Sequence, residues 1–178
     1  FNIVTLVRPS AKNKKMMRQY EREQALKIVW GDLTEYNDVL QCVTGADIVL
    51  HPAALIAPEA DHNPVLARKI NVGSIENIVR AIKAQPEPDS IKLVNIGSVA
   101  MTGDRLYPIH VGRTGDPFKP SIYDAYACSK IDAERVVAES GLKYWVSCRQ
   151  TFVAIPDTLA LMDPIMFHQP LDTCIEFC

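Results

Sequence analysis

A doubly wound α/β fold, a parallel sheet packed with helices, is what this sequence predicts. Two observations carry the prediction. Short, β-branched apolar runs alternate five times with helical patterns, and strand alternating with helix makes βαβ units. Polar residues able to do chemistry also follow strand after strand, and in such a sheet ligands bind beyond the carboxyl ends of the strands.

The elements follow in order. Asn2-Ile3-Val4-Thr5-Leu6-Val7 is short and β-branched, so it reads as a buried strand. Residues 12–25 are charged and free of Gly and Pro, which predicts a helix with a long wet face. Leu26-Lys27-Ile28-Val29-Trp30 is the next strand, followed by Gly31-Asp32-Leu33. Thr34 is placed to cap a helix over 35–43. Residues 47–50 form a strand ended by Pro52, and a long helix is expected over 63–84, broken by Gln85-Pro86-Glu87-Pro88. Residues 91–96 are a strand, and the Gly- and Pro-rich stretch 103–121 is a loop. Residues 122–140 read as a helix stopped by Gly141, and 144–148 as a further strand. After Phe152 the pattern weakens at Pro156, Pro164 and Pro170. The expected division is therefore a doubly wound domain over 1–155 and the start of a substrate-binding region over 156–178.

With 178 residues, 48% of them hydrophobic, the chain can bury a core of one domain or a large part of a bigger one. Its net charge of −2 gives no electrostatic case for nucleic acid or an anionic membrane. No apolar run approaches the ~20 residues of a membrane span, and no secretory signal is visible. Five cysteines (Cys42, Cys128, Cys148, Cys174, Cys178) are odd in number and scattered, without a CxxC pair. That argues against a disulfide framework or a metal site and fits a reducing cytoplasm. The chain opens at Phe1 and stops at Cys178 inside apolar stretches, so a sheet incomplete at both ends is expected.

Tyr126-Ala127-Cys128-Ser129-Lys130 is the most informative stretch. A phenol and an ammonium four residues apart share one face of a helix. A cation near a phenol favours the phenolate, and a phenol so tuned can exchange a proton with a substrate hydroxyl near neutral pH. The spacing alone also fits a solvated Tyr and Lys on an amphipathic helix. The upstream residues narrow the choice: Arg8, Asp32, His51-Pro52-Ala53-Ala54, Gly97-Ser98 and Arg149-Gln150-Thr151-Phe152 each follow a predicted strand.

In these residues the chain resembles the extended short-chain dehydrogenases/reductases, of the NAD(P)-dependent epimerase/dehydratase type, over residues 2–156. Gly31-Asp32-Leu33 is similar to the family's acidic turn at the adenine ring, and His51-Pro52-Ala53-Ala54 to its small-residue turn beside the cofactor. Asn71-Val72-Gly73-Ser74 with Asn77 matches its central-helix pattern. Ser98 stands five residues before Gly103, where the family keeps a catalytic Ser or Thr, and Tyr126 follows Ser98 by 28 residues. The resemblance implies a Rossmann-like fold. It also implies Tyr126 as general acid/base, Lys130 favouring the phenolate and holding the nicotinamide ribose, Ser98 bonding the reacting oxygen, and Asn71 at the edge of the site. Cofactor contacts would come from Arg8, Asp32, Leu33, His51, Ala53, Ala54, Ile96, Gly97, Tyr126, Lys130, Gln150, Thr151 and Phe152. For Asn71 and His51, local satisfaction of a polar side chain is the competing reading.

The family's Gly-rich phosphate loop would precede residues 2–7 and is not in this sequence. About 30 further residues upstream would supply it. An acid after the first visible strand would favour NAD, whereas an Arg accepts the 2′-phosphate of NADP. Here Val7-Arg8-Pro9-Ser10 ends that strand, with Lys12 nearby and no acid, so NADP is expected in preference to NAD. The function expected is an oxidoreductase acting on an alcohol or carbonyl of a small-molecule substrate. The alternatives are a nucleotide-sugar epimerase or dehydratase, with Val99 and Ala100 where dehydratases add acids, and a non-catalytic dinucleotide sensor. Resemblance also implies a homodimer through the helices near 63–84 and 122–140.

Overall fold

The computed structural model describes residues 1–103 and 115–151. Strands β1 (Ile3–Val7) and β2 (Leu26–Trp30) pair in parallel, with Val7 opposite Trp30. Strands β3 (Ile48–His51), β4 (Lys92–Ser98) and β5 (Tyr144–Gln150) form a second parallel ladder in that order. His51 lies opposite Asn95 and Ser98 opposite Gln150, which aligns the carboxyl ends of the three strands. Helices α1 (Ala11–Met17), α2 (Tyr36–Val43), α3 (Glu59–His62), α4 (Pro64–Lys83) and α5 (Ala125–Ala138) fall between the strands. The doubly wound class holds, but as two ladders among the described residues, because β1 and β3 do not pair with each other.

The core lies between β4 and the row α2–α4–α5. Val39 and Val43 of α2, Ile75, Ile78 and Ile82 of α4, Leu93 of β4, and Ala133 and Val137 of α5 are buried in one cluster. Helices were expected on both faces of the sheet. Among the described residues the three-stranded ladder is covered on one, and Ile48 and Leu50 point the other way and are exposed. The crossovers explain this. Strand order β3-β4-β5 runs in one direction, and right-handed crossovers then put α4 and α5 on the same face.

Several element ends differ from expectation. The helix expected over 12–25 stops at Met17 and tightens into a 3₁₀ turn over Arg18–Tyr20. Only Met17 of α1 is buried, and a helix without an apolar face to pack has little holding it beyond its first turns. Thr34 does not cap α2. The N-cap position is Glu35, with no side-chain bond, and Thr34 instead donates its N–H and hydroxyl to Asp32 Oδ1 at 2.8 and 2.9 Å. The last helix begins at Ala125 rather than Ile122, because Asp124 accepts from the Ala127 N–H and sets its start. It ends at Ala138 rather than at 140, with Glu139 as its C-cap, and Gly141 follows in the left-handed conformation at φ +71°. Asn63 caps α4 through the Leu66 N–H, with Pro64 in its first turn. Strand β4 runs on through Gly97 and Ser98, and β5 through Arg149 and Gln150, so these lie inside strand ends rather than after them. The short α3 was not expected. Phe152 and the region 156–178 lie outside the described residues.

Candidate active site

The first turns of α5 present Tyr126 and Lys130 on one face. The Lys130 Nζ stands 6.0 Å from the centroid of the Tyr126 ring. Lys130 is buried, and its ammonium donates to the Ile96 carbonyl at 2.7 Å. Burial lowers its pKa from the ordinary lysine value, since an ammonium loses hydration there. That bond docks α5 on β4 two residues before Ser98. Ser98 is buried at the end of β4, where its Oγ accepts from the Ala100 N–H at 3.2 Å and caps a 3₁₀ turn over Val99–Thr102. Among the described residues its own hydroxyl hydrogen has no acceptor. The structure thus places Lys130 between Tyr126 on its own helix and the end of β4 that carries Ile96, Gly97 and Ser98.

Asn71 sits elsewhere in the arrangement. Its Oδ1 accepts from the Leu55 N–H at 2.7 Å, and its Nδ2 donates to the Leu55 carbonyl at 3.0 Å and to Ser129 Oγ at 2.8 Å. Ser129 in turn donates to the Tyr126 carbonyl at 2.8 Å. The amide therefore clamps the loop after β3 to α5, a positioning contact at the edge of the site. That loop contains Ala53, exposed, and Ala54, half-buried. Asn77 makes a similar tie, donating to the Leu33 carbonyl at 3.0 Å.

His51, at the end of β3, is buried with Nε2 3.1 Å from Ser74 Oγ. Desolvation first, and the nearby Lys130 charge second, push its pKa down from 6.5 to about 4. Its stabilising contribution is whole above the unfolded value near 6.5 and is lost as pH falls toward 4. Unfolding free energy is therefore expected to drop by up to about 3 kcal/mol over that interval. Denaturant titrations of wild type and His51→Gln across this pH range check it. Parallel slopes in the two proteins would exclude His51 as the group responsible.

Arg8 and Asp32 share the β1–β2 end. Arg8 is exposed just past β1. Asp32 is half-buried, and its carboxyl is held below the ordinary value by the Thr34 N–H first, with Arg8 and Lys69 adding favourable charge. Asp38 Oδ2 accepts from the Asp32 N–H at 2.9 Å. A Cβ at position 31 would stand 2.5 Å from that carboxylate, which is why Gly31 precedes Asp32. Gln150 and Thr151 are exposed at the end of β5.

Sequence reasoning missed two features here. Asp61 of α3 accepts at Oδ1 from the Ala125 N–H at 2.9 Å and the Tyr126 N–H at 3.4 Å, so it caps α5 from outside. Glu134, one turn beyond Lys130, pairs with Arg149 through Oε1 at 2.6 Å. The i, i+4 spacing from Lys130 was the available signal for Glu134. Asp61 had none, because its role depends on where α3 lands.

The donors present fit a dinucleotide. Lys130 uses one of its three ammonium hydrogens on Ile96 among the described residues, leaving two for other acceptors. No helix among the described residues is long and apolar enough to cross a membrane.

Comparison with known proteins agrees with this fold. The mouse 3 beta-hydroxysteroid dehydrogenase type 7 is 26% identical over 114 residues, which cover 63% of this chain and 30% of that enzyme. The UDP-Glc/GlcNAc 4-epimerase of Campylobacter jejuni superposes with a TM-score of 0.69 at 20% identity, over 92% of this chain and 50% of its own. The Bordetella bronchiseptica enzyme WbmH, solved with NAD+, gives a TM-score of 0.64 at 22% identity, over 83% of this chain and 46% of that one. At these identities the two structures speak to the fold alone, and this chain spans half or less of all three proteins. Residues 2–153 match the NAD dependent epimerase/dehydratase family, and the chain belongs to that family.

Proposed function

We propose that this chain carries the catalytic corner of an NAD(P)-dependent oxidoreductase that moves a hydride between a nicotinamide cofactor and an alcohol or carbonyl carbon. One observation supports it above the others. Tyr126 and Lys130 share a face of α5, and the Lys130 ammonium docks on the strand that ends in Ser98. When bound, the nicotinamide supplies the hydride acceptor or donor. Tyr126 takes the hydroxyl proton as the alcohol is oxidised, and returns it in the reverse direction. Ser98 donates its hydroxyl hydrogen to the reacting oxygen and orients it. Lys130 favours the phenolate by its charge and holds the nicotinamide ribose hydroxyls. Arg8, at the end of β1 with no acid beside it in the turn, suits the 2′-phosphate of NADP.

The relative named as a 3 beta-hydroxysteroid dehydrogenase points to a hydrophobic secondary alcohol as the first substrate class to try. The family's description keeps an epimerase or dehydratase as the second reading, with a nucleotide sugar as the substrate to try because the Campylobacter jejuni neighbour is a UDP-Glc/GlcNAc 4-epimerase. The test titrates the full chain with NADPH and NADH by nicotinamide fluorescence, then assays a 3β-hydroxysteroid and UDP-glucose. NADPH is expected to bind about tenfold more tightly, with Arg8→Ala cutting that preference to about twofold, the loss of a charge-assisted phosphate contact. Tighter NADH binding would overturn the Arg8 assignment, and turnover of UDP-glucose alone would move the epimerase reading to the front.

A further inference from the structure

One turn past Lys130, on the same stripe of α5, lies a second charged cluster. Glu134 and Lys130 stand four residues apart on the buried side of α5. The Glu134 carboxylate accepts from Arg149 Nη2 at 2.6 Å on Oε1, and from Arg149 Nε at 3.3 Å and Ser147 Oγ at 2.7 Å on Oε2. Asn95 Nδ2 donates to Ser147 Oγ at 3.2 Å, bringing β4 into the network. The Arg149 guanidinium also lies 4.8 Å from the Phe118 ring, on the segment leading into α5. A Cβ at position 97 would meet Glu134 Oε2 at 3.2 Å and Ser147 Oγ at 3.3 Å. Gly97, flanked by Ile96 and Ser98, therefore leaves room for the carboxylate.

The cluster is costly unless it does something. A two-point Arg–carboxylate pair is stiff and directional, yet such pairs withdrawn from water add little net stability over apolar packing. What this one does is join α5, β4 and β5 at the depth where Lys130 meets the Ile96 carbonyl. It fixes the height and rotation of α5 one turn past Lys130. No hydrogen bond among the described residues joins Glu134 to Lys130, so its influence runs through the helix.

We propose that Glu134, with Arg149 and Ser147, is a positioning clamp for Lys130. It holds the ammonium at the distance from β4 at which one hydrogen serves Ile96 and two face the cofactor. The proposal rests on the reading of Lys130 as the group that holds the nicotinamide ribose.

The test uses the full chain and the tighter-binding of NADPH and NADH, with affinity read by nicotinamide fluorescence and folding by thermal melting. Glu134→Gln and Arg149→Met are each expected to weaken binding by about 5–20-fold, and the double variant no more than the worse single, because either change opens one clamp. Ser147→Ala, which removes the bonds to Glu134 and from Asn95 but keeps the Arg149–Glu134 pair, should weaken binding about twofold and covers the case in which the charge variants do not fold. In a Lys130→Met background, Glu134→Gln should add less than twofold. Unchanged affinity in the Ser147 and Glu134 variants, or a Glu134→Gln loss of equal size with and without Lys130, overturns the clamp. Should Lys130→Met itself bind like wild type, the cofactor-holding role of Lys130 fails first, and the clamp falls with it.

Discussion

Tyr126→Phe is expected to lower turnover by about 10²–10⁴-fold, the usual contribution of a positioned general acid/base. Cofactor affinity should stay within about twofold of wild type, because the ring and its packing on α5 remain. The argument is geometric. Asp124 from within α5 and Asp61 from α3 both accept N–H groups of its first turn, and the Asn71–Ser129 chain ends on the Tyr126 carbonyl. Two of these contacts hold the Tyr126 backbone itself, Asp61 on its N–H and Ser129 on its carbonyl, and the others fix the residues on either side of it. Removing the hydroxyl leaves them all in place, so a rate loss without a binding loss isolates the proton transfer. Steady-state kinetics with matched cofactor titrations measure both. Turnover equal to wild type would remove Tyr126 from the chemistry.

Lys130→Met is expected to lose both functions: about 10²-fold or more in kcat and about tenfold in cofactor affinity. The ammonium is buried, and its pKa is lowered by that burial. A lysine whose folded pKa is lowered destabilises the fold while it is charged, and the penalty is relieved as pH rises toward the ordinary value of 10.5. Wild-type stability should therefore gain with rising pH in the window below 10.5, and the Met variant should lack that gain. The variant thus trades function without a matching loss of stability at neutral pH. Melting curves across the alkaline range, beside the binding titration, separate the two effects. NADPH binding unchanged in Lys130→Met would contradict its ribose-holding role.

Much of the fold was legible from local pattern. The strand runs at 2–7, 26–30 and 144–148 were found from short apolar composition, β-branched or aromatic, and the end of α4 was marked by Gln85-Pro86. Where local pattern misled, a competing contact had won. Thr34 looked like a cap until Asp32 claimed its N–H and hydroxyl. Residues 18–25 looked helical, but nothing apolar there reaches the core.

By itself the sequence determined the order of strands and helices and the shared face of Tyr126 and Lys130. Both follow from periodicity within a few residues, which a single segment enforces. The tertiary structure alone decided what those side chains meet. Lys130 finds its carbonyl 34 residues away, Glu134 its arginine 15 residues away, and the Ala125 N–H its carboxylate 64 residues away. Such contacts leave no period in the sequence. They exist because crossover helices dock on a particular strand at a particular height, and that docking is set by the packing of Ile75, Ile82, Leu93 and Val137 in the core.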